Sequence, residues 1–247
     1  EFPCNKMGSL LFIIFLLYAY KIIISRSLFQ NTSLWKKKMQ IDELKTGDIL
    51  LFDEYPNECC FQHFTSCIKK CTKSKYSHCA FVIRNKSLYH GTVCVWESSY
   101  HPGGNEDPND HKKNKFGVQV TPLSYYLEKY PGTVNIYVRQ RTNTEKNKIC
   151  KYQLAQIRKT VYDKPYDINP CDWIMAKLRC GPRKTTNRFW CSALVAYILV
   201  EIGDIPMCDW SEVRAQDLSS SCLSPPFGHW NTHYSEDTPL ERRKMNI

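Results

Sequence analysis

One stretch of this chain is apolar around nearly its whole circumference. It covers residues 189–203, with the sequence FWCSALVAYILVEIG. At 3.6 residues per turn it gives about four helical turns, and it ends at Gly203, a residue that readily takes the left-handed C-cap conformation. A helix that is apolar on all sides lies inside a domain rather than on its surface. The pattern therefore predicts a buried central helix around which the rest of the domain packs.

Shorter hydrophobic runs before this helix predict the strands of a mixed domain. Residues 44–52 have the pattern of a turn into a buried strand, and strand-like runs cover residues 77–83, 88–97, 117–120 and 134–138. Helical patterns cover residues 123–129, which Pro122 opens, and residues 148–162. A polar insertion, residues 53–76, separates the first two strands. The sequence thus predicts an α+β fold in which an antiparallel sheet packs on the buried helix.

The N-terminal part of the chain has a different character. Residues 10–24 are apolar except for Lys21, and this run is shorter than the roughly 20 residues of a spanning helix. No small-residue cleavage site follows it; a basic run at residues 36–38 does, and positive charge on that flank favours a cytosolic location. We therefore predict an uncleaved single-pass membrane anchor with Lys21 snorkelling and the main domain in the cytosol. The alternative is a cleaved signal peptide and a secreted or lumenal protein.

These patterns divide the 247 residues into an anchor with a basic linker (1–40), a main domain (41–222) and a Pro-rich charged tail (223–247). Lys and Arg number 34 against 24 Asp and Glu, a formal net charge of +10 that suits an anionic membrane surface. Neither an RNA-binding aromatic signature nor zinc-finger spacing occurs, so nucleic acid is not an expected partner. The 13 cysteines show no repeated spacing. They fit reduced cytosolic thiols as well as a secreted disulfide scaffold.

Cys191 lies in the first turn of the predicted central helix. Free backbone N–H groups and the positive end of the helix dipole favour a thiolate there, and the charge of Arg188 acts in the same direction. The alternative is an ordinary buried thiol, since free cysteine is common in protein cores. Cys191 is our candidate nucleophile.

A thiol nucleophile needs a base, and the base needs a third group that orients it. Histidine is the usual base because its pKa is nearest neutrality. His78 opens one predicted strand and Glu97 closes the next, so a hairpin with its turn near residues 85–87 brings them to the same end of the sheet. His90, in mid-hairpin, is more typical of a packed histidine. The other five lie in polar loops or the tail: His63, His101, His111, His229 and His233.

Six short motifs together resemble the circularly permuted papain-like (NlpC-type) cysteine hydrolases, the YiiX-like amidases and their poxvirus counterparts. They are GDIL at 47–50, SH at 77–78, WESS at 96–99, PYD at 165–167, WCSALV at 190–195 and AQDL at 215–218. In that family the histidine strand precedes the cysteine helix, the reverse of papain, as it does here. The resemblance spans roughly residues 41–218. It implies Cys191 as nucleophile, His78 as base and Glu97 as the orienting group. The family often has Cys-Ser-Glu where this chain has Cys191-Ser192-Ala193, which bears on substrate contacts.

The expected activity is therefore that of a membrane-tethered thiol hydrolase acting on an amide, thioester or ester of a peptide, lipid or other acyl substrate. Tyr166 is a candidate substrate contact, the alternative being a plain core role, and Asp167 and Asn169 are reserve candidates for the third catalytic group. No cofactor or metal is expected, because the cysteines of the insertion, with Cys59 adjacent to Cys60, lack zinc-knuckle spacing. The alternatives are a lipid acyltransferase or phospholipase on the same fold, and an inactive membrane-bound binding module.

Overall fold

The computed structural model describes residues 38–57, 59–84, 89, 91–101, 105–142, 149–169, 186–222 and 233–241. The predicted anchor at residues 10–24 and the first two lysines of the basic run lie outside these residues. None of the helices in the described ranges is long and apolar enough to cross a membrane.

Within the described residues, six strands form one sheet. They are β1 (Ile49–Pro56), β2 (His78–Arg84), β3 (Val93–Tyr100), β4 (Phe116–Pro122), β5 (Gly132–Arg139) and β6 (Thr238–Pro239). The strand order is β4-β3-β2-β1-β5-β6, and every neighbouring pair is antiparallel. The predicted α+β class and antiparallel sheet are confirmed.

Both faces of the sheet are covered. Along β1, Ile49 and Leu51 belong to a core cluster on the face that carries the central helix, and Leu50 and Phe52 belong to a second cluster on the other face. All four side chains are fully buried. This double burial explains why β1 is a continuous apolar run rather than an alternating one.

The described helices are α1 (Cys59–Thr72), α2 (Lys151–Val161) and α3 (Cys191–Glu201), with a π-helical turn at Tyr125–Lys129 and 3₁₀ turns at Ile41–Glu43, Trp210–Glu212 and Ala215–Leu218. Helix α3 is the predicted central helix, and all its residues from Cys191 to Val200 are buried. It begins at Cys191 because Trp190 has an extended backbone (ψ 173°). At the other end Gly203 has φ +81° and its N–H bonds to the carbonyl of Val200, which confirms the predicted glycine cap.

Two segments outside the predicted strands also pack on the sheet. The insertion between β1 and β2 forms helix α1, which contacts β1. In the region predicted as a tail, β6 pairs with β5, and the buried Tyr234 donates its O–H to Asp204 Oδ2 at 2.8 Å. Met39 bridges to Leu240 beside β6. The packed unit thus includes residues on both sides of the 41–222 range.

Candidate active site

His78 and Glu97 meet at one end of the sheet. The antiparallel register pairs Phe81 of β2 with Trp96 of β3, which puts positions 78 and 97 on the same face. His78 Nε2 lies 2.6 Å from Glu97 Oε2. The juxtaposition expected from the hairpin pattern is therefore confirmed, although the turn itself, residues 85–88, lies outside the described residues.

Helix α3 brings Cys191 to the same point. The helix packs on β2 and β3, and Ser98 Oγ of β3 donates to the carbonyl of Phe189, 2.6 Å away, just before the helix begins. Cys191 is 7% exposed. Its thiol interacts with the side chains of Cys79 and His78, and both favour the thiolate. The bond from the Cys79 thiol is the largest effect on the Cys191 thiol; together with the bond and charge of His78 it outweighs burial and lowers the pKa of Cys191 well below its usual value.

The imidazole of His78 is shifted in the opposite direction. Burial disfavours its charged form, but hydrogen bonds to Cys191 and Glu97 and the negative charges of both raise the pKa of His78 well above its usual value. Since Nε2 faces Glu97, Nδ1 is the ring nitrogen left for the thiol. The lowered pKa of Cys191 and the raised pKa of His78 both favour the thiolate–imidazolium form of the pair.

Glu97 is the hub of the hydrogen-bond network. It is fully buried and accepts hydrogen bonds from His78, from His101 Nε2 at 2.7 Å and from the Tyr126 O–H at 2.6 Å. Burial raises the pKa of Glu97, but the charges and hydrogen bonds of His101 and His78 outweigh it and hold that pKa well below its usual range. The carboxylate is therefore ionised and held on three sides.

Sequence reasoning missed three members of this network. It placed His101 in a polar loop, although positions 97, 99 and 101 share one face of an extended chain and could have indicated it. Tyr126 gave no signal, because a tyrosine on a core-facing helix is ordinarily a packing residue. Cys79 follows His78 directly, and strand alternation turns it toward the face that α3 covers. Burial, then Cys191, raises the pKa of Cys79, so it stays protonated as a donor.

The reserve candidates Asp167 and Asn169 lie next to Arg188 and to each other. Arg188, expected to favour the thiolate, is 47% exposed in its side chain and forms an ion pair with Asp167, with Nε 3.2 Å from Oδ2. The backbone N–H of Asn169 donates to the other oxygen of Asp167 at 3.2 Å. The carboxylate that contacts His78 is that of Glu97.

Two cavities adjoin His78 and Cys191. The larger, of about 350 Å³, is lined by His78, and the smaller, of about 40 Å³, by Cys191. Tyr166, the predicted substrate contact, lines both of them. Its ring stacks on Phe116 with centroids 5.2 Å apart and planes at 8°. Tyr166 is thus placed where the two cavities meet.

The other cysteines were considered for disulfides and metal binding, and both can be checked within the described residues. Seven cysteines there are free thiols: Cys67, Cys79, Cys94, Cys150, Cys191, Cys208 and Cys222. No group of three metal-binding side chains occurs in the described part of the chain. The side chains of Cys59, Cys60 and Cys71, considered as metal ligands from the sequence, lie outside the described set.

Comparison with known proteins adds no assignment. Neither the models of known families nor the curated proteins give a match to this chain. The resemblance to permuted papain-like hydrolases is therefore carried by the motifs of the chain itself.

Proposed function

We propose that this protein is a thiol hydrolase of the permuted papain-like type, with Cys191 as nucleophile, His78 as acid–base and Glu97 as the orienting carboxylate. The observation that supports it most is the 2.6 Å contact of His78 Nε2 with Glu97 Oε2, together with an interaction of His78 with Cys191 that displaces the pKa values of thiol and imidazole in opposite directions. Burial alone raises a thiol pKa. Burial, then the charge of Asp107, raises the pKa of the Cys94 thiol to about 12.

The reaction follows from this pair. The Cys191 thiolate attacks the carbonyl carbon, forming a C–S bond while the carbonyl electron pair moves to oxygen. The N–H of Cys191 at the start of α3 stabilises that oxyanion. As the bond to the leaving group breaks, protonated His78 gives it a proton and an acyl thioester remains. Neutral His78 then takes a proton from water, whose oxygen displaces Cys191 as a thiolate and releases the acid.

Glu97 acts through His78. Its ionised carboxylate fixes the Nε2–H tautomer and stabilises the imidazolium, while His101 and Tyr126 hold the carboxylate itself in place. Tyr166 lies between the two cavities, and burial followed by the negative charge of Cys191 raises the pKa of its phenol. We assign to Tyr166 the role of a neutral hydrogen-bond donor toward substrate.

An acyltransferase is the second candidate, and it shares every step up to the acyl-enzyme. The large, aromatic-lined cavity beside His78 favours it, because that space could hold an acceptor in place of water. An inactive binding module would not require a Cys191 thiolate paired with a His78 imidazolium. For the whole chain we propose a membrane tether through residues 10–24, with the hydrolase domain on the cytosolic side.

The direct test is selective alkylation. At a pH below neutral, iodoacetamide should label Cys191 faster than the other twelve cysteines, because its thiolate is the one favoured by a hydrogen-bonded imidazolium. Peptide mapping of briefly treated native protein measures this order. His78→Ala should slow the labelling of Cys191 and remove turnover of any acyl probe that forms a covalent adduct by intact mass.

The matched control is Cys94→Ala, which removes another buried thiol from the same core cluster and should leave both measurements unchanged. If Cys191 is among the slowest cysteines to label in folded protein, the assignment of the nucleophile fails.

A further inference from the structure

A second carboxylate, Glu54, lies beside the catalytic pair near the end of β1. It lines the larger cavity together with His78. Ser77 Oγ donates to Glu54 Oε2 at 2.9 Å, and Tyr130 lines the same cavity as Glu54. Burial raises the pKa of Glu54, partly offset by the charge of His78. The proposed reaction gives this carboxylate no role.

Lys69 lies close to Glu54 but does not neutralise its carboxylate. Lys69 Nζ lies 2.5 Å from Asp53 Oδ1, and it donates only to the backbone carbonyl of Glu54, at 3.0 Å. Among the described residues, no Lys, Arg or His side chain lies within ion-pair distance of the Glu54 carboxylate. The Glu54 side chain is half-buried. Withdrawing a carboxylate even partly from water without an ion-pair partner is costly, and a bound cation would reduce that cost.

The rest of the cavity wall is aromatic. Its rings come from Tyr100, Phe116, Tyr125, Tyr126, Tyr130 and Tyr166. The rings of Tyr126 and Tyr130 lie 5.9 Å apart and nearly parallel, and that of Tyr125 is perpendicular to Tyr130 at 6.4 Å. Aromatic faces attract cations through the ring quadrupole, and such walls recognise ammonium groups. An apolar ligand would fit the rings equally well, so Glu54 is the group that selects for positive charge.

The position of the cavity indicates which part of the substrate it holds. His78 lines this cavity and Cys191 lines the smaller one. Because His78 gives its proton to the leaving group, we place the leaving group in the cavity that His78 lines. The acyl carbon, bonded to Cys191, lies on the other side.

We propose that the leaving group of the substrate carries an alkylammonium ion, which binds between Glu54 and the aromatic wall. The assignment to the leaving group rests on the proposed hydrolase function, whereas binding of the cation does not require Cys191. The chemistry is shared by a primary ammonium, as in a lysine side chain, and a quaternary ammonium, as in choline.

Calorimetric titration of the full chain and of its Cys191→Ala variant tests the binding. The probes are n-butylammonium and choline, each compared with its neutral isostere, 1-butanol and 3,3-dimethyl-1-butanol. At least one cation should bind about tenfold or more tightly than its isostere in both proteins, and the cation that does so identifies the ammonium type. Equal binding of cations and isosteres overturns the proposal.

Two substitutions localise the effect. Glu54→Gln keeps the shape and an acceptor for Ser77 but removes the charge, and it should abolish the preference for cations. Glu128→Gln is the matched control, because it removes the same charge from an exposed residue of the adjacent π-helical turn; it should leave the preference intact. Tyr130→Leu removes one ring and should weaken cation binding, which keeps the test decisive if Glu54→Gln does not fold. Full cation preference in Glu54→Gln contradicts the proposal.

Turnover measurements test on which side of the scissile bond the ammonium group lies. On the amine side, the N-acetylglycine amide of 1,5-diaminopentane should have a higher kcat/KM than the N-acetylglycine amide of n-hexylamine. On the acyl side, a 6-aminohexanoyl amide and the corresponding heptanoyl amide should have equal kcat/KM. A preference confined to the second pair overturns the leaving-group assignment. If Cys191→Ala binds the cation but the unmodified chain shows no turnover, the hydrolase function is refuted and the ammonium site stands. If the unmodified chain shows turnover but no preference for cations, only the ammonium site is refuted.

Discussion

At the scale of single residues, the state of each buried thiol depends on the group beside it. Cys79, Cys94 and Cys191 are all buried in the same core cluster. Burial raises the pKa of Cys79 and Cys94, whereas a thiol donor and an imidazole lower the pKa of Cys191. Burial costs a charge unless a partner is present. The partner of Cys191 is His78, whose own charge depends on Glu97.

This dependence predicts how turnover varies with pH. The Cys191 thiolate forms as the pH rises through the lowered pKa of Cys191, and the His78 imidazolium is lost as the pH rises through the raised pKa of His78. Activity should therefore be highest between the two. Glu97→Gln removes a charge that raises the pKa of His78, so the alkaline limb of the kcat/KM profile should move to lower pH while the acid limb moves less.

Glu106→Gln is a suitable control for this measurement, because it removes a carboxylate that pairs with the exposed His111. Its profile should superimpose on that of the unmodified protein. An alkaline limb that stays in place in Glu97→Gln would show that Glu97 does not act through His78.

At the scale of elements, Tyr166 is positioned by a short segment between β4 and the residues that precede α3. The N–H of Val118 donates to the Lys164 carbonyl at 2.8 Å, and the N–H of Tyr166 donates to the Phe116 carbonyl at 3.1 Å. Gly117 makes this approach possible, since a Cβ there would lie 2.2 Å from the Lys164 oxygen, and its φ is +147°. Close backbone contact at one glycine thus fixes a residue that lines both cavities.

Gly117→Ala should accordingly push the segment away from β4 and displace Tyr166. We expect a loss of stability in chemical denaturation and a higher KM for any acyl probe. Gly203→Ala is the matched control: its φ is +81°, but a Cβ would meet nothing within 4 Å. It should cost about 1–2 kcal/mol of stability through backbone strain alone and leave KM unchanged. Equal effects of the two substitutions on KM would contradict the positioning role of Gly117.

At the scale of the whole molecule, the described residues from Lys38 onward form one compact unit. The N–H of Met39 donates to the Pro239 carbonyl at 2.9 Å, and the N–H of Glu241 donates to the Met39 carbonyl at 2.8 Å. The buried Met39 side chain adds to the cluster on the sheet face away from α3. The segment that follows the predicted anchor is therefore joined directly to the sheet edge.

A truncated protein that begins at Lys38 should be released from membranes and keep the fast labelling of Cys191. One that begins at Ile41 should be less stable, by about 2 kcal/mol or more, because it loses the burial of Met39 together with two backbone hydrogen bonds. Flotation with vesicles and chemical denaturation measure the two effects. Membrane binding by the Lys38 protein equal to that of the full chain would contradict the predicted anchor.

Local sequence pattern determined the parts of this protein that depend on neighbouring residues. The hairpin that pairs His78 with Glu97 and the buried helix that opens at Cys191 follow from strand period, helix period and a glycine stop. Hydrophobic burial acts on each segment separately, so the pattern of a segment states which of its faces is covered.

Only the tertiary structure decided which polar groups became enclosed together. His101 and Tyr126 reach Glu97 from a segment past β3 and from a helical turn past β4, and Cys79 reaches the thiolate because α3 lies on its face of the sheet. Glu54 meets the aromatic wall for the same reason. Hydrogen bonds between distant segments depend on the positions that packing gives them, and no periodicity within one segment encodes those positions.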